Sequence, residues 1–497
     1  MTEPGWVTHA VFWQVYPLGF TGAPVSLAAQ DAAPARGADG SHSLDRLVAW
    51  LDYAIELGVS GILLGPIFAS ETHGYDTVDY FRLDPRMAGS AEAGAGTGAG
   101  AERSEPGAPH EDAFDRLIRE AHARGLRVVL DGVFNHVGRG FEPFRRAQAE
   151  GPAAPEFGWF RPIGDPPADP TRQLFSNFEG HDALVLLNHD ASVVVDFVAE
   201  VMNHWLARGA DGWRLDAAYA VPPAFWARVL PRVRGEHPEV YVFGEVIHGD
   251  YSAIVSESRL DSVTQYELWK AVWSSISDAN LWELSAALER HNSFLEQFVP
   301  LTFVGNHDVN RLASAIADER HRPHALVALM TVGGTPTLYY GDEQGLIAAK
   351  EEREGGDDAI RPEFDAAGPA SQPPGGWNVY HLYQNLIGLR RRHPWLHTAR
   401  TTNVVLTNEF FAYEVRPAEA SPAAPAPAAE APAATAPAAQ APAAQDERLT
   451  VLLNLADSEY VQKLAGNHEI AAGVASLRAG DVVVVPPHGW AVMRPAA

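Results

Sequence analysis

Short apolar runs alternate with amphipathic helical stretches through the first four fifths of the chain. Glycines at positions 58, 125 and 209 follow three of the predicted helices and are suited to ending them. The predicted strands are residues 11–16, 61–64, 126–130, 212–215, 240–243, 262–265, 301–304 and 335–339. The predicted helices include residues 44–57, 114–123, 193–207, 282–291 and 322–330. Strands that alternate with helices pair in parallel, and eight such repeats favour an α/β fold with a closed (β/α)₈ barrel over a doubly wound sheet.

Two regions depart from this rhythm. The connection after the third strand, residues 138–190, is long and rich in Pro, Phe and Asp, which predicts a small inserted domain on the catalytic face of the barrel. After residue 395, strands at 403–406, 410–415, 449–455 and 482–485 follow one another without helices and predict an antiparallel β-sandwich. The predicted domains are therefore a barrel of residues 1–137 and 191–395, an insert of 138–190 and a sandwich of 396–497.

Two segments of low complexity are poor in large apolar residues. Residues 417–445 repeat Ala, Pro, Glu and Gln, and residues 88–109 are rich in Ala and Gly. Such compositions cannot offset the entropy lost on ordering. We predict a disordered loop within the sandwich for the former and a flexible segment for the latter.

Composition excludes several classes of function. The formal net charge is −26, which opposes binding to nucleic acid or anionic lipid. The chain contains no cysteine, so disulfides, zinc–thiolate sites and cysteine nucleophiles are excluded. It shows neither a signal peptide pattern nor a long apolar run, and we expect a cytoplasmic protein. An uncharged ligand such as a sugar suits the charge, and the oligomeric state is left open.

Acidic residues recur at the ends of the predicted strands. Asp131 ends the third, Asp216 the fourth and Glu245 the fifth, while Asp308 follows the seventh. Because strand ends of a barrel converge on one rim, these carboxylates should share a pocket, together with His136, Arg214 and His307. One such acid is commonly a helix cap, but four acids with these partners indicate a functional site.

Glycoside hydrolysis needs this kind of constellation. Two carboxyl groups flank the scissile bond, one as nucleophile and one as acid. Arg214 lies two residues before Asp216, on the same face of an extended strand, where it should hold that carboxylate ionised. We expect neighbouring carboxylates to keep Glu245 protonated.

The motifs resemble those of glycoside hydrolase family 13, the α-amylase family. They are Asp131-Gly-Val-Phe-Asn-His136, Gly212-Trp-Arg-Leu-Asp216, Gly244-Glu-Val246, Val304-Gly-Asn-His-Asp308 and Gly333 to Glu343, with His73-Gly-Tyr-Asp76 upstream. The resemblance implies retaining hydrolysis with Asp216 as nucleophile, Glu245 as acid/base and Asp308 as transition-state stabiliser. It also implies sugar binding by Tyr75, His136, Arg214 and His307.

The segment Tyr75 to Tyr80 is most similar to cyclomaltodextrinases, neopullulanases and α-glucosidases. In such relatives the acid after the tyrosine can pair with an arginine of the eighth-strand loop and close the site. We therefore expect a bidentate pair between Asp76 and Arg361 and a preference for short maltooligosaccharides.

Several readings stay open at this point. The same intermediate serves transglycosylation or isomerisation, and a non-catalytic carbohydrate-binding relative is a third alternative. Asn135 binds calcium in some relatives, but Ala217-Ala-Tyr-Ala220 replaces the Lys-His pattern typical of calcium amylases. We therefore predict no metal or cofactor and an oligosaccharide as the partner.

Overall fold

A computed structural model describes most of the chain. The described residues are 3–25, 42–88, 112–165, 167, 169–353, 355–369, 376–418, 447–478 and 481–496. The two low-complexity segments predicted to be flexible, 88–109 and 417–445, lie outside the described residues except for positions 88, 417 and 418.

Eight parallel strands form the central sheet. They are β1 (Phe12–Val15), β2 (Gly61–Leu64), β3 (Arg127–Gly132), β4 (Gly212–Leu215), β5 (Tyr241–Gly244), β6 (Ser262–Val263), β7 (Leu301–Phe303) and β8 (Thr335–Tyr339). Their order is β6-β5-β4-β3-β2-β1-β8-β7, and a parallel bridge from Thr264 to Leu301 joins the two ends. The sheet is thus closed, which confirms the predicted (β/α)₈ barrel.

The register of three neighbouring strands places the acidic residues. Arg214 on β4 pairs with Asp131 on β3 and with Phe243 on β5. The parallel ladder continues one residue beyond the strand ends, because Asp216 N donates to Gly132 O at 3.0 Å and Glu245 N donates to Leu215 O at 2.8 Å. Barrel pairing therefore fixes the backbones that carry both predicted catalytic carboxyls.

Helices cover the outside of the barrel. They are Asp45–Val48, Leu51–Leu57, Ala113–Ala123, Ser192–Ala207, Pro223–Glu236, Tyr251–Ser258, Tyr266–Ser277, Leu281–Leu295, Leu312–Ala315, Arg322–Thr331 and Gly376–Arg391, preceded by the short Pro17–Thr21. The single helix predicted over 44–57 is wrong, since two helices meet there at Trp50. The indole of Trp50 packs against Phe20 and Phe364 and donates to the carbonyl of Asp365, so tertiary packing overrides the helical pattern.

The connection after β3 contains its own small sheet. Three antiparallel strands, His136–Gly138, His181–Leu186 and Asn177–Phe178, are accompanied by the helix Glu142–Glu150. A second pair, Pro162–Ile163 and Leu174–Phe175, lies between them in the chain. The connection after β2 holds a hairpin that the sequence pattern did not predict, Phe68–Ser70 with Thr77–Leu83, and this hairpin carries the loop of Tyr75.

The C-terminal part consists of two antiparallel sheets. The larger contains Arg400–Leu406, Phe410–Arg416, Leu449–Asn454, Trp490–Pro495 and His468–Gly473, and the smaller Tyr460–Lys463, Val482–Val485 and Ser476–Arg478. Apolar side chains from both sheets, among them Leu452 and Val483, form one core, so the predicted sandwich is confirmed. Four of these strands are missing from the prediction. Three of them are short or largely exposed, whereas Trp490–Pro495 begins with four buried apolar residues and is a strand that the prediction missed.

Candidate active site

The guanidinium of Arg214 gathers three carboxyl groups at the carboxyl ends of β3, β4 and β5. Its Nη1 lies 2.6 Å from Asp131 Oδ2 and 3.2 Å from Asp216 Oδ1, and its Nη2 lies 2.8 Å from Glu245 Oε1. All four side chains are almost fully buried. The predicted convergence of these residues on one rim is therefore what the structure shows.

Glu245 accepts hydrogen bonds from three directions. Besides Arg214, the amide of Ala217 donates to Oε2 at 3.0 Å and the hydroxyl of Tyr266 donates to Oε1 at 3.1 Å. Ala217 adopts a left-handed conformation with φ of 45°, which is costly for a residue with a Cβ. This backbone aims an N–H group at the carboxyl, so that three donors fix the orientation of Glu245.

The pKa of Asp216 differs from the expectation that Arg214 keeps this carboxyl ionised. Burial raises the pKa of Asp216 well above its usual range, the neighbouring Glu245 and Asp131 add to this, and Arg214 opposes it. Arg214 contacts both oxygens of Asp131 at 2.6 and 2.7 Å, so its charge acts most closely on that acid and less on Asp216. Arg214 therefore lowers the pKa of Asp216 as expected, but burial and the neighbouring acids outweigh it.

Asp308 is the acid with the opposite behaviour. Its Oδ2 lies 3.0 Å from His307 Nε2 and its Oδ1 lies 3.0 Å from Arg361 Nη2. Burial acts to raise the pKa of Asp308. His307 and Arg361 outweigh this effect and hold that pKa well below its ordinary value. A third of this side chain is exposed, at 33%. Asp308 therefore offers a permanent negative charge to whatever enters the site.

Tyr75 links these groups from the hairpin after β2. Its hydroxyl contacts His307 Nε2 and donates to Asp131 Oδ2 at 3.2 Å, and its ring is parallel to the imidazole of His307 at 5.5 Å. Gln14 on β1 lies 3.1 Å from the other nitrogen of His307. A cavity of about 920 Å³ opens beside Tyr75. It is lined on its far side by residues 350–353 and 355–358.

His136 is held in its neutral form. Burial lowers the pKa of its imidazole to about 4. The carbonyl of Tyr75, which lies 3.0 Å from Nε2, acts in the opposite direction and raises it. Asn135 Nδ2 lies 3.1 Å from Nδ1, and the ring stacks on Phe178 of the inserted sheet at 4.8 Å. With Nδ1 accepting, Nε2 carries the proton and orients the ring.

Calcium would need six to eight oxygen ligands. Asn135 Oδ1 is buried without a hydrogen-bond partner among the described residues, so one ligand atom is free. Among the described residues, no group of three or more acids or histidines with metal-ligand spacing contains a sequence neighbour of Asn135. The residues present do not fit a carboxylate-rich calcium site, and no catalytic step is assigned to this ion.

The predicted pair between Asp76 and Arg361 is wrong. Asp76 accepts hydrogen bonds from the amide and hydroxyl of Thr72, at 3.0 and 2.5 Å, and so closes its own loop. Arg361 instead bonds Asp308 and Asp357, with its Nε donating to the carbonyl of His307. Arg361 therefore bonds the carboxylates that lie nearer to it. Asp76 and Arg361 each support the site through different partners.

Tyr266 is a site residue that sequence reasoning missed. It is the first residue of the helix Tyr266–Ser277 after β6, and its hydroxyl accepts from Asn306 Nδ2 at 2.8 Å while donating to Glu245. Asn306 in turn accepts from the amide of Asp308 at 2.9 Å. A position just after a barrel strand was the available signal, but an aromatic residue there is also typical of core packing.

Comparison with known proteins agrees with this geometry. Residues 107–398 match the family profile described as the catalytic domain of alpha amylase. A cyclomaltodextrinase of Bacillus sp is 30% identical over 414 residues, covering 80% of this chain and 68% of the relative. Neopullulanase 2 of Thermoactinomyces vulgaris is 29% identical, covering 79% and 64%. The match thus spans about two thirds of the length of these curated relatives.

Solved structures show the same fold. A cyclic α-maltosyl-(1→6)-maltose hydrolase from Arthrobacter globiformis superposes with a TM-score of 0.74 at 23% identity, covering 99% of this chain and all of that one. The matched catalytic profile and the carboxyl-lined rim together define an enzyme class. The chain belongs to the α-amylase family of glycoside hydrolases.

None of the helices in the described part of the chain combines the length and the apolarity that a membrane-crossing segment requires.

Proposed function

We propose that the chain hydrolyses α-glucosidic bonds in short α-glucans with retention of configuration. The observation that carries this proposal is the sharing of one guanidinium by Asp216 and Glu245, on adjacent strands, with Asp308 across the same rim. Double displacement requires two carboxyl groups about 5–5.5 Å apart. Carboxyls bonded to the two terminal nitrogens of one guanidinium are compatible with that spacing.

Asp216 serves as nucleophile in this proposal. Its carboxylate attacks the anomeric carbon, while Glu245 protonates the oxygen of the leaving sugar. In the second half, Glu245 removes a proton from water, which attacks the glycosyl ester and releases Asp216.

Asp308 and its partners bind the sugar at the cleavage position. A carboxylate that stays ionised beside a developing oxocarbenium ion stabilises the transition state more than the ground state. His307, His136 and Arg214 hold Tyr75 and the acids around the sugar, and the ring of Tyr75 offers a flat face for it. Asp76 and Arg361 contribute by holding the Tyr75 loop and Asp308 in place.

The preference for short substrates is supported by two observations. The cavity beside Tyr75 is bounded by residues 350–353 and 355–358, which limits the room on that side of the cleavage position. Relatives over most of the chain are named cyclomaltodextrinase, neopullulanase and maltogenic α-amylase. We therefore propose maltooligosaccharides and related cyclic or branched oligosaccharides as substrates.

Transfer to a sugar acceptor is the second candidate. It uses the same covalent intermediate, and the outcome depends on whether water or a hydroxyl reaches the ester first. The non-catalytic alternative is disfavoured, since Asp216, Glu245 and Asp308 all lie in the pocket with their hydrogen-bond partners.

The test is product analysis on maltotriose, maltoheptaose, pullulan, trehalose and sucrose. Proton NMR of the first turnovers should show the α-anomer, and chromatography should show glucose and maltose with few longer products. A β-anomer would contradict retention, and products longer than the substrate would favour transfer. No activity on any of the five would overturn the proposal.

Three isosteric variants identify the residues. Asp216→Asn and Glu245→Gln should each lower kcat by at least about 10³-fold, and Asp308→Asn by a similar factor. Asp196→Asn is the matched control, because Asp196 pairs with Arg232 on the outer surface of the barrel. Full activity in Asp216→Asn would refute its role as nucleophile.

We also propose an intracellular location. The support is the similarity to a protein named intracellular maltogenic amylase from Bacillus subtilis, which is 28% identical over 358 residues. Imported or stored oligosaccharides would be the substrates there. Fractionation of the native host with an antibody against the chain tests this directly.

A further inference from the structure

A cluster of histidines lies where the barrel meets the C-terminal sheets, separate from the active site. His321 caps the start of the helix Arg322–Thr331, and His488 lies in the turn before the strand Trp490–Pro495. One ligand atom from each of these and from Asp318 all lie within 4.8 Å of one another. All three side chains are partly accessible to solvent.

The two imidazoles face each other through nitrogen atoms. His321 Nε2 lies 2.9 Å from His488 Nδ1. On its far side, His488 Nε2 lies 2.9 Å from a carboxylate oxygen of Asp457. With the N–H of His488 directed at Asp457, its inner nitrogen presents a lone pair to His321. The two inner nitrogens are close enough to share one proton, and a metal ion can replace that proton by binding both nitrogens.

The outer contacts follow a pattern known from metal centres. A histidine that binds a metal donates its other ring N–H to a carboxylate or a backbone carbonyl, which fixes the tautomer and the ring orientation. Asp457 provides such a carboxylate for His488. The outer partner typical of a metal-binding histidine is therefore present at one of the two rings.

The backbone that carries the rings is held independently of any ion. His488 has a φ of 54°, and its amide donates to the carbonyl of Ala456 at 3.1 Å. His324, fully buried, lies 3.2 Å from the carbonyl of His321 and 3.0 Å from that of Gly489. It thus joins the two segments that hold the facing imidazoles.

We propose that His321, His488 and Asp318 bind a divalent transition metal of the zinc class. Two imidazoles, one carboxylate and a water complete a tetrahedral zinc site, and Zn–N bonds of 2.0–2.1 Å place the two nitrogens about 3.3 Å apart. The observed 2.9 Å requires the rings to separate only slightly. The ion bridges the barrel and the sandwich and serves stability, at a distance from the sugar chemistry.

One group competes with the metal. Arg320 contacts both carboxylate oxygens of Asp318, with Nη2 at 2.6 Å from Oδ2. The pair is exposed, so water can replace the guanidinium at low cost. Binding should therefore be reversible and weaker than in a closed four-ligand site.

Titration of the tag-free full chain with zinc and with cobalt tests the proposal. We expect one ion per chain by calorimetry, a cobalt absorption spectrum typical of tetrahedral coordination, and a midpoint of thermal unfolding that rises with the logarithm of free zinc. Unchanged unfolding up to millimolar zinc, or no saturable heat, would overturn the site.

Variants locate the ion. His321→Gln and His488→Asn should each abolish the stoichiometric binding, and asparagine is chosen at 488 because it tolerates a positive φ. His381→Asn, at an exposed histidine on the helix Gly376–Arg391, should bind as the original chain does. Retained binding in both His321→Gln and His488→Asn would refute the assignment.

X-ray absorption of the zinc-loaded original chain gives a measurement that needs no variant. Scattering from two imidazoles with additional oxygen ligands is expected. A spectrum with oxygen ligands alone would refute the assignment, even where a variant failed to fold.

Discussion

Tyr266→Phe removes a single oxygen atom from the centre of the proposed machinery. The hydroxyl donates to Glu245 Oε1 at 3.1 Å and accepts from Asn306 Nδ2 at 2.8 Å. The phenyl ring keeps its contacts with Trp269 and Phe303, so packing is preserved. In this proposal Tyr266 does not contact the sugar and is a positioning residue that acts through Glu245.

The size of the effect follows from the kind of hydrogen bond that is lost. A hydrogen bond to a charged group contributes about 1.5–3 kcal/mol. Since 1.36 kcal/mol corresponds to tenfold in rate, kcat/KM should fall by about 10- to 150-fold if that contribution is made fully in the transition state. The Nδ2 of Asn306 also loses its acceptor, and the Oδ1 of the same side chain accepts from the amide of Asp308. The loss should fall mainly on kcat.

The assay compares kcat and KM on maltotriose across pH for Tyr266→Phe and Tyr251→Phe. Tyr251 donates to the carbonyl of Ile247 at 3.2 Å, a neutral hydrogen bond away from the carboxyls. Its loss should lower stability by about 1 kcal/mol and leave kcat/KM unchanged. Tyr266→Phe should in addition alter the pH profile of kcat, which a purely structural change would not do.

The reasoning fails if Tyr266→Phe keeps the kcat of the original chain, or if its loss equals that of Tyr251→Phe. The first result would mean that Arg214 and the amide of Ala217 suffice to orient Glu245. The second would mean that the hydroxyl matters only for folding.

Three further predictions follow from the loop of Tyr75 and from a buried acid. Gly74→Ala should cost about 1–2 kcal/mol in urea unfolding and raise KM for maltotriose, since Gly74 has a φ of 91° and precedes Tyr75. Asp76→Ala removes both hydrogen bonds to Thr72, so it should lower kcat/KM and increase proteolysis of this loop. An unchanged product pattern on maltoheptaose would show that Asp76 has no part in substrate choice. Burial raises the pKa of Glu343 to about 7 from 4.5, so the folded chain keeps a proton that the unfolded chain releases. The free energy of unfolding should fall by up to about 3 kcal/mol as pH rises from 4.5 to 7, and Glu343→Gln should lack this slope in urea titrations at pH 5 and pH 8.

The barrel could be predicted from the sequence because its information is local and periodic. Each strand is a short apolar run, and each acid follows directly after one. The placement of Asp131, Arg214 and Asp216 on one rim needs only the geometry of parallel strands. The family motifs then imply their roles.

The remaining parts of the site depend on distances between loops. The partners of Arg361 are decided by which carboxylate is nearest, and sequence spacing does not show that Asp308 and Asp357 lie closer than Asp76. The contact of Tyr266 with Glu245 arises from the angle at which a helix leaves β6. The raised pKa of Asp216 results from its burial and from the nearby Glu245, which together outweigh Arg214. None of these is periodic, so no sequence pattern reports them.

The hydrogen-bond ladder of the barrel continues to Asp216 and Glu245, so the backbone at these two residues is fixed more firmly than the loops around the site. Both residues are anchored through main-chain amides to neighbouring strands, while the loop of Tyr75 and the segment around Arg361 are held by side chains. Changes in those outer segments can therefore reshape which sugar enters while the reacting carboxyls keep their positions. Directed evolution of substrate choice should begin at residues 71–76 and 350–361 and leave the strand ends untouched.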